Sequence, residues 1–423
     1  MPRSIRPYLE YQADRVEAVL AAHRTPGRVV GGTVGPRLIR FFLNPAPHIR
    51  FANVKRLEDD IAMAMQTHLE IKTGKEGVIL EFANPNPHPV NLVALWDEFG
   101  TRPIGTAILG LTDDGAPLAA NLRSPMTAHV LITGATGSGK TVLARTIAVS
   151  LLMSTKPGLL GIAIIDPKAK IFPKDFQCSR LIRPVVTKYG EAAELMNSLV
   201  KLMESRDARG VTAPTEADPI IVAFIDELAD LIMADTGQQL ENAITRLTQR
   251  GRQAMIHVVA LTQKASAAIL SQLMRANFTL RLVGKVVTAE DARVGAGVGG
   301  TNAHLLNGLG DFIAVNGGDK IRFQVAYISA KDLRSIAGLF EHRVVSLPHA
   351  QVEPQKTEPS LDDMTIFVAK LKPWWLEHAD THGSKTQAVK ILFGQDAEPA
   401  GYNWRTTMRA IALIEAEAAN GIQ

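Results

Sequence analysis

Two short stretches of the 423-residue chain hold the residue types from which phosphate chemistry is built. The first is Gly134-Ala135-Thr136-Gly137-Ser138-Gly139-Lys140-Thr141, leading into a helical run at Val142. Gly134, Gly137 and Gly139 let the backbone curl until successive N–H groups and a helix N-terminus face a chain of phosphates. At this spacing Lys140 would neutralise the β- and γ-phosphates of a nucleoside triphosphate, and the Thr141 hydroxyl would ligate Mg²⁺. ATP and Mg²⁺ are therefore the expected cofactors. The second stretch, Ile220-Ile221-Val222-Ala223-Phe224-Ile225-Asp226-Glu227, is an apolar run that ends in two carboxylates. Asp226 suits the shell of the same Mg²⁺, and Glu227 suits a general base that orients and activates an attacking water. Carboxylates at such a place also serve as simple helix caps, so their value rests on meeting the loop. Gln263, closing the run 257–263, is a candidate sensor of the γ-phosphate; Asp166 and Lys168, after the run 161–165, hold an equivalent position.

These residues meet only if their strands lie side by side in one parallel sheet, because such a sheet gathers its loops at the carboxyl ends. From about residue 92 to 345, apolar runs at 129–133, 161–165, 220–225, 257–261 and 278–283 alternate with helical stretches. That alternation predicts an α/β fold, a mostly parallel sheet covered by helices. Residues 1–91 mix a helical pattern at 8–23 with strand-like runs at 37–43 and 78–82. Turn signals separate them at Thr25-Pro26-Gly27, Asn44-Pro45-Ala46-Pro47 and Asn84-Pro85-Asn86-Pro87, which predicts a small α+β domain. A linker at 346–359 precedes a tail at 360–423 with helical periodicity at 364–371, 385–392 and 404–418.

Composition narrows the class. With 46% hydrophobic and 21% charged residues and a mean hydropathy of +0.05, the chain reads as globular, not disordered or fibrous. Its apolar runs are strand-length, too short to cross a bilayer, and the start at Met1-Pro2-Arg3-Ser4 lacks a signal-peptide core, so a cytoplasmic location is expected. The single cysteine, Cys178, excludes an intrachain disulfide and a cysteine-based zinc site. The net charge of +4 decides little, but its distribution says more. Residues 1–56 carry ten Lys/Arg against three acids, and residues 242–289 carry seven basic residues and no acid. Such one-sided stretches favour polyanionic partners.

The motifs resemble those of the FtsK/SpoIIIE family of DNA translocases, within the wider FtsK–HerA group. The phosphate loop, Ile165-Asp166-Pro167-Lys168, Phe224-Ile225-Asp226-Glu227-Leu228-Ala229-Asp230, Ile256-His257-Val258-Val259-Ala260-Leu261-Thr262-Gln263 and Leu309-Gly310-Asp311-Phe312 carry the likeness. Arg15-Val16-Glu17, Pro36-Arg37-Leu38-Ile39-Arg40-Phe41, Val54-Lys55-Arg56-Leu57-Glu58-Asp59-Asp60-Ile61 and Leu80-Glu81-Phe82 are similar to the family's small domain ahead of the motor. The resemblance implies a RecA-like P-loop motor core, a homo-hexameric ring around double-stranded DNA, and ATP hydrolysed at subunit interfaces. Arg252 falls where the family supplies an arginine to the neighbouring subunit's ATP, with Arg281 the second candidate; such an arginine stabilises charge on the transferred phosphoryl group. Lys264, Arg275 and Arg293 fall where the family places basic residues on loops facing the pore, for contacts to DNA phosphates that ignore sequence.

Two departures leave alternatives open. The chain lacks the membrane-spanning helices and long linker with which family members often begin, so septum anchoring is in question and a plasmid, phage or accessory motor fits. Its tail, with Lys385, Arg405 and Arg409, is either a winged-helix DNA-binding module or a plain helical appendage. Related readings are a conjugative coupling, HerA-like end-processing or genome-packaging motor. From another class comes a nucleotide-gated DNA-binding protein with little turnover, against which Glu227 argues.

Overall fold

Runs that alternate in hydrophobicity fold here into a sheet with one buried face, and runs that are apolar throughout fold into a sheet buried on both. The computed structural model describes residues 5–74, 77–100, 102–168, 171–172, 178, 180–234, 238–263, 272–335, 361–378, 384–393 and 402–420. Lys264 lies outside these residues. Two compact units divide the chain, Met1–Ser346 and Leu347–Gln423.

The first unit opens with a four-stranded antiparallel sheet in the order β1-β2-β4-β3, where β1 is Gly27–Val34, β2 Leu38–Pro45, β3 Leu69–Gly74 and β4 Gly77–Ala83. Along β2 the inward positions are Ile39, Phe41 and Leu43, which alternate with more exposed neighbours as a half-buried strand requires. That face packs on helices Arg6–Ala22 and Glu58–Met65 through Val16, Leu20, Ile61 and Met65. The predicted helix and two strands are present; β1 and β3 add to them.

A larger sheet follows. Its strands are β5 (Val90–Asn91), β6 (Thr106–Thr112), β7 (Pro117–Asn121), β8 (Val130–Thr133), β9 (Leu160–Ile165), β10 (Ile220–Ile225), β11 (Ile256–Thr262), β12 (Leu280–Gly284), β13 (Asp311–Asn316) and β14 (Asp319–Tyr327). Their order is β7-β6-β14-β13-β12-β8-β11-β10-β9, with β5 beside β14. The five predicted runs form the parallel part, β12-β8-β11-β10-β9. Every residue of β8, β9, β10 and β11 is buried. Full burial of an Ile, Val or Leu stabilises by about 1.5–3 kcal/mol over exposure, so such strands read as continuous apolar runs and carry polar groups at their ends. Beyond β12 the sheet turns antiparallel through β13, β14, β6 and β7. Gly317 and Gly318, at φ +57° and +103°, make the two-residue turn between β13 and β14, a conformation that side chains resist.

Helix Lys140–Ser154 is buried along most of its length. Its Thr146 hydroxyl donates to Ala326 O of β14, and its Ser150 hydroxyl accepts from Ile108 N of β6, so the helix after β8 is tied to the antiparallel part. The small domain is joined to the larger sheet by ion pairs centred on the buried Glu81. Glu81 of β4 accepts from Arg40 (3.1 Å), Lys72 (3.3 Å) and Arg322 of β14 (3.1 Å). Arg322 also grips Asp311 through two bonds of 2.9 and 2.8 Å, and Arg40 bonds Asp113 at 2.5 Å. Burial by itself would raise the Glu81 carboxyl, but Lys72, Arg322 and Arg40 hold it below its usual range. Burial pushes Asp113 up to about 6 against Arg40 and Arg322.

In the second unit, helices Leu361–His378, Ser384–Phe393 and Tyr402–Asn420 pack around Leu371, Trp375, Ala388, Ile411 and Ile414. Among its described residues the unit has no strand.

Candidate active site

Strand register brings the candidate residues level. Thr133 lies opposite Thr262, Ala260 opposite Ile225, and Ile225 opposite Ile165, so the residues after β8, β11, β10 and β9 emerge side by side at the carboxyl end of the sheet. Those residues are the glycine loop, Gln263, Asp226 with Glu227, and Asp166. A cavity of about 590 Å³ opens where they meet. Loop residues Ala135, Thr136, Gly137, Gly139, Lys140 and Thr141 form its floor, with Val142 at the start of the helix.

The loop is braced by its neighbours. Ala135 N donates to Lys285 O (2.7 Å), Leu309 N to Gly137 O (3.1 Å) and Gly310 N to Ser138 O (2.7 Å). Gly139, at φ +106°, approaches so closely that an added Cβ would stand 2.9 Å from Gly310 N, so both conformation and space demand glycine. Lys140 Nζ donates to Gly134 O at 2.7 Å and Ala135 O at 3.2 Å, curled over the loop it would share with phosphates. Among the described residues, Ser138 Oγ is buried without a hydrogen-bond partner.

On one side of the loop stands the acid pair. Asp226 and Glu227 are 7% and 9% exposed. Glu227 accepts from the Thr262 hydroxyl (2.8 Å) and from Gln263 N (3.0 and 3.2 Å), which fixes its carboxylate plane. Gln263 in turn accepts from the Thr136 hydroxyl of the loop at 3.0 Å. One hydrogen-bonded path thus runs from the acid through the strand end to the phosphate loop. Asp166 is fully buried and accepts from Ile171 N at 2.7 Å, capping the backbone that follows it, while Lys168 reaches the cavity.

The residues suit ATP and Mg²⁺. The curled glycine loop, the lysine and the helix N-terminus form an anion cradle. Among the described residues there is no cluster of three or more His, Cys, Asp or Glu fit to hold a metal by themselves. Mg²⁺ needs none, since it is ordinarily bound by one or two protein oxygens together with substrate phosphates and waters; Thr141 and Asp226, which both line the cavity, carry oxygens of the kind it takes.

The remaining candidates lie elsewhere. Arg252 is exposed just before β11, at the amino end of the sheet, opposite its own cavity. Arg281 sits within β12, its guanidinium donating to Arg275 O at 2.6 Å and Val294 O at 3.5 Å. Arg275 is half-buried on helix Gln272–Asn277. Arg293 is exposed and ion-paired with Glu290 at 2.6 Å. Of the basic run at 242–289, Arg246 pairs with Glu204 and Arg250 with Asp207, so acids of helix Tyr189–Ala208 balance part of its charge. Sequence reasoning missed Arg37, Pro87, His88, Pro89, Gln324 and Tyr327, all on the cavity wall. The Gly317-Gly318 turn could have pointed to β14 and thus to Gln324 and Tyr327.

Comparison with known proteins agrees with this architecture. Residues 101–211 and 208–267 match the FtsK/SpoIIIE family, and residues 4–84 match the FtsK alpha domain. The chain belongs to the FtsK/SpoIIIE family. The protein named DNA translocase FtsK of Chlamydia trachomatis serovar D is 30% identical over 368 residues, covering 79% of this chain and 45% of the relative. Its namesake in Mycobacterium tuberculosis strain H37Rv is 30% identical over 385 residues, covering 82% and 44%. This FtsK/SpoIIIE-family chain therefore spans a little under half the length of these relatives. Among solved structures, the pCW3 conjugation coupling protein TcpA, a monomer form with ATPγS, has a TM-score of 0.51 at 18% identity, covering 76% of this chain and 96% of that one. The cytoplasmic domain of the type VII secretion ATPase EccC of Thermomonospora curvata has a TM-score of 0.52 at 20% identity, covering 66% and 37%. These two share the α/β P-loop motor fold. Among the described residues no helix is long and apolar enough to cross a membrane.

Proposed function

We propose that the chain is an ATP-dependent double-stranded DNA translocase that works as a ring-shaped hexamer and hydrolyses ATP at subunit interfaces. The observation that carries this reading is the bonded path from Glu227 through Gln263 to Thr136 of the phosphate loop. Lys140 exchanges the carbonyls of Gly134 and Ala135 for phosphate oxygens. Thr141 and Asp226 would hold Mg²⁺, which would supply positive charge to the phosphates. Glu227, held by Thr262 and Gln263, orients a water toward the γ-phosphate and takes its proton. Through Gln263 the state of the γ-phosphate is felt by both the loop and the acid. A catalyst needs such an acid where a mere switch does not, which favours turnover over simple nucleotide gating.

Arg252 lies at the far end of the sheet from its own cavity, and an exposed arginine there is suited to a neighbour's ATP; Arg281, engaged with Arg275 O and Val294 O, is the less suited candidate. For the DNA track, Arg293 is the most available of the three basic candidates, since an exposed ion pair such as that with Glu290 exchanges readily for a phosphate. Arg275 and Lys264 are proposed for the same track. The reading is tested by ATP turnover with and without linear duplex DNA over a range of salt. Stimulation that fades as salt rises is expected. Turnover indifferent to DNA at every salt concentration would remove DNA from the reading.

A further inference from the structure

The phosphate loop divides the cavity, and the sheet order fixes what lies on each side. Toward β11, β10 and β9 stand Gln263, Glu227, Asp226 and Lys168. Toward β13 and β14 stand Leu309, Gly310, Val325 and Tyr327. A triphosphate on this loop directs its terminal phosphate to the acids, so its nucleoside must leave on the β14 side. There the wall is of a different chemistry. Tyr327, 40% exposed, closes β14, and the segment Pro87-His88-Pro89 lines the same cavity. Parallel pairing of β5 with β14 sets Val90 opposite Ala326 and Asn91 opposite Tyr327, so this segment runs alongside the end of β14.

The segment belongs to the small domain and is pinned there. Asn84 N donates to Arg37 O (2.8 Å), Asn84 Nδ2 to Gly35 O (2.9 Å), and His88 N to Pro36 O (3.2 Å), while Asn86 N donates to Asn84 Oδ1 (2.9 Å). Pro87 and Pro89 bring apolar ring faces at little entropic cost, and His88 is aromatic and exposed. Rigid rings gathered at the β14 side of a partly apolar opening suit a flat heteroaromatic base.

We propose that the base of the bound nucleoside triphosphate is seated between Tyr327 and the Pro87-His88-Pro89 segment, so that the small domain completes the nucleotide site and ATP fastens it to the motor. This rests on the assignment of the cavity to ATP. Affinity is measured by calorimetry on the full chain for two ligands, ATPγS and inorganic tripolyphosphate, which has no base. The variant combining His88→Ala and Tyr327→Ala should bind ATPγS about tenfold more weakly, the scale of a lost base–aromatic stack, and tripolyphosphate as before. Tyr327→Phe keeps the ring and should keep ATPγS affinity. Lys140→Ala should weaken both ligands. If the double variant binds ATPγS normally while Lys140→Ala loses both ligands, the base sits elsewhere and the proposal fails alone. Equal weakening of both ligands in the double variant would likewise overturn it, because those residues would then act through the loop or the fold. Should Lys140→Ala leave both affinities intact, the cavity assignment itself falls, and the proposal with it.

Discussion

The two ends of the parallel sheet are built from the same buried strands, yet they treat polar groups in opposite ways. At the carboxyl end, Glu227, Thr262, Gln263 and Thr136 are bonded to one another around an open cavity. At the amino end, His129 and His257 are shut into the core, 2% and 0% exposed, with rings 6.0 Å apart. His257 bonds Ala128 O at 3.0 Å, which requires a proton on Nδ1, and His129 Nδ1 accepts from Val258 N at 3.2 Å. Burial drives both imidazoles neutral, to about 3 for His129 and about 4 for His257. Beside them Arg252 is left exposed. Polar residues at the carboxyl end are thus bonded around an open cavity, whereas polar residues sealed at the amino end bond the backbone of neighbouring strands.

The comparison predicts a graded set of effects. Lys140→Ala should lower nucleotide affinity by ~100-fold or more, since it removes the lysine of the phosphate loop; equilibrium binding of ATPγS reads this directly. Glu227→Gln should keep ATP bound but slow its hydrolysis by ~10²–10⁴-fold, the usual contribution of a general base; single-turnover assays separate the two. Unchanged turnover would remove Glu227 from the water-activating role.

At the amino end the effects should spare binding. Arg252→Ala subunits mixed into wild type should depress ATP turnover by more than their share, because one altered subunit would disable its neighbour; a loss proportional to dilution would return Arg252 to an ordinary surface residue. The smallest effect is on stability against pH. His129 and His257 have folded pKa values below their ordinary 6.5, so the unfolded chain binds more protons as pH falls. Stability should be complete above about pH 6.5 and decline toward about pH 3. Asp113, raised to about 6, acts in the opposite sense and offsets part of that slope between about pH 4 and 6. Melting temperatures of His129→Asn and His257→Asn should show a flatter pH dependence, because asparagine keeps a polar group near Nδ1 but does not titrate. A slope as steep as that of the parent would trace the acid sensitivity to other groups.

Much of the catalytic end was legible because its signals are local. A glycine loop between an apolar run and a helix, and two acids closing another run, need only strand adjacency to become a site, and continuous apolar runs announce that adjacency. The antiparallel strands were not read. β14 starts with three exposed residues, Asp319–Ile321, and mixes half-buried with buried positions after them, and β7 is mostly half-buried, so neither stands out as an apolar run. Still less visible was that Tyr327 and His88 line one cavity, since that depends on β5 pairing with β14, far away in the sequence. Charge misled in the same way. The acid-free run at 242–289 does not remain acid-free in space, because Glu204 and Asp207 come to Arg246 and Arg250 from a neighbouring helix.

Displacement of a triplex-forming strand from linear duplex DNA reports movement itself, and so tests the central claim most directly. The wild-type chain with ATP and Mg²⁺ should release the third strand, while ATPγS in place of ATP, or Glu227→Gln with ATP, should leave it in place. Hydrolysis of ATP on that duplex with no release of the strand would contradict the account, leaving an ATPase that does not travel.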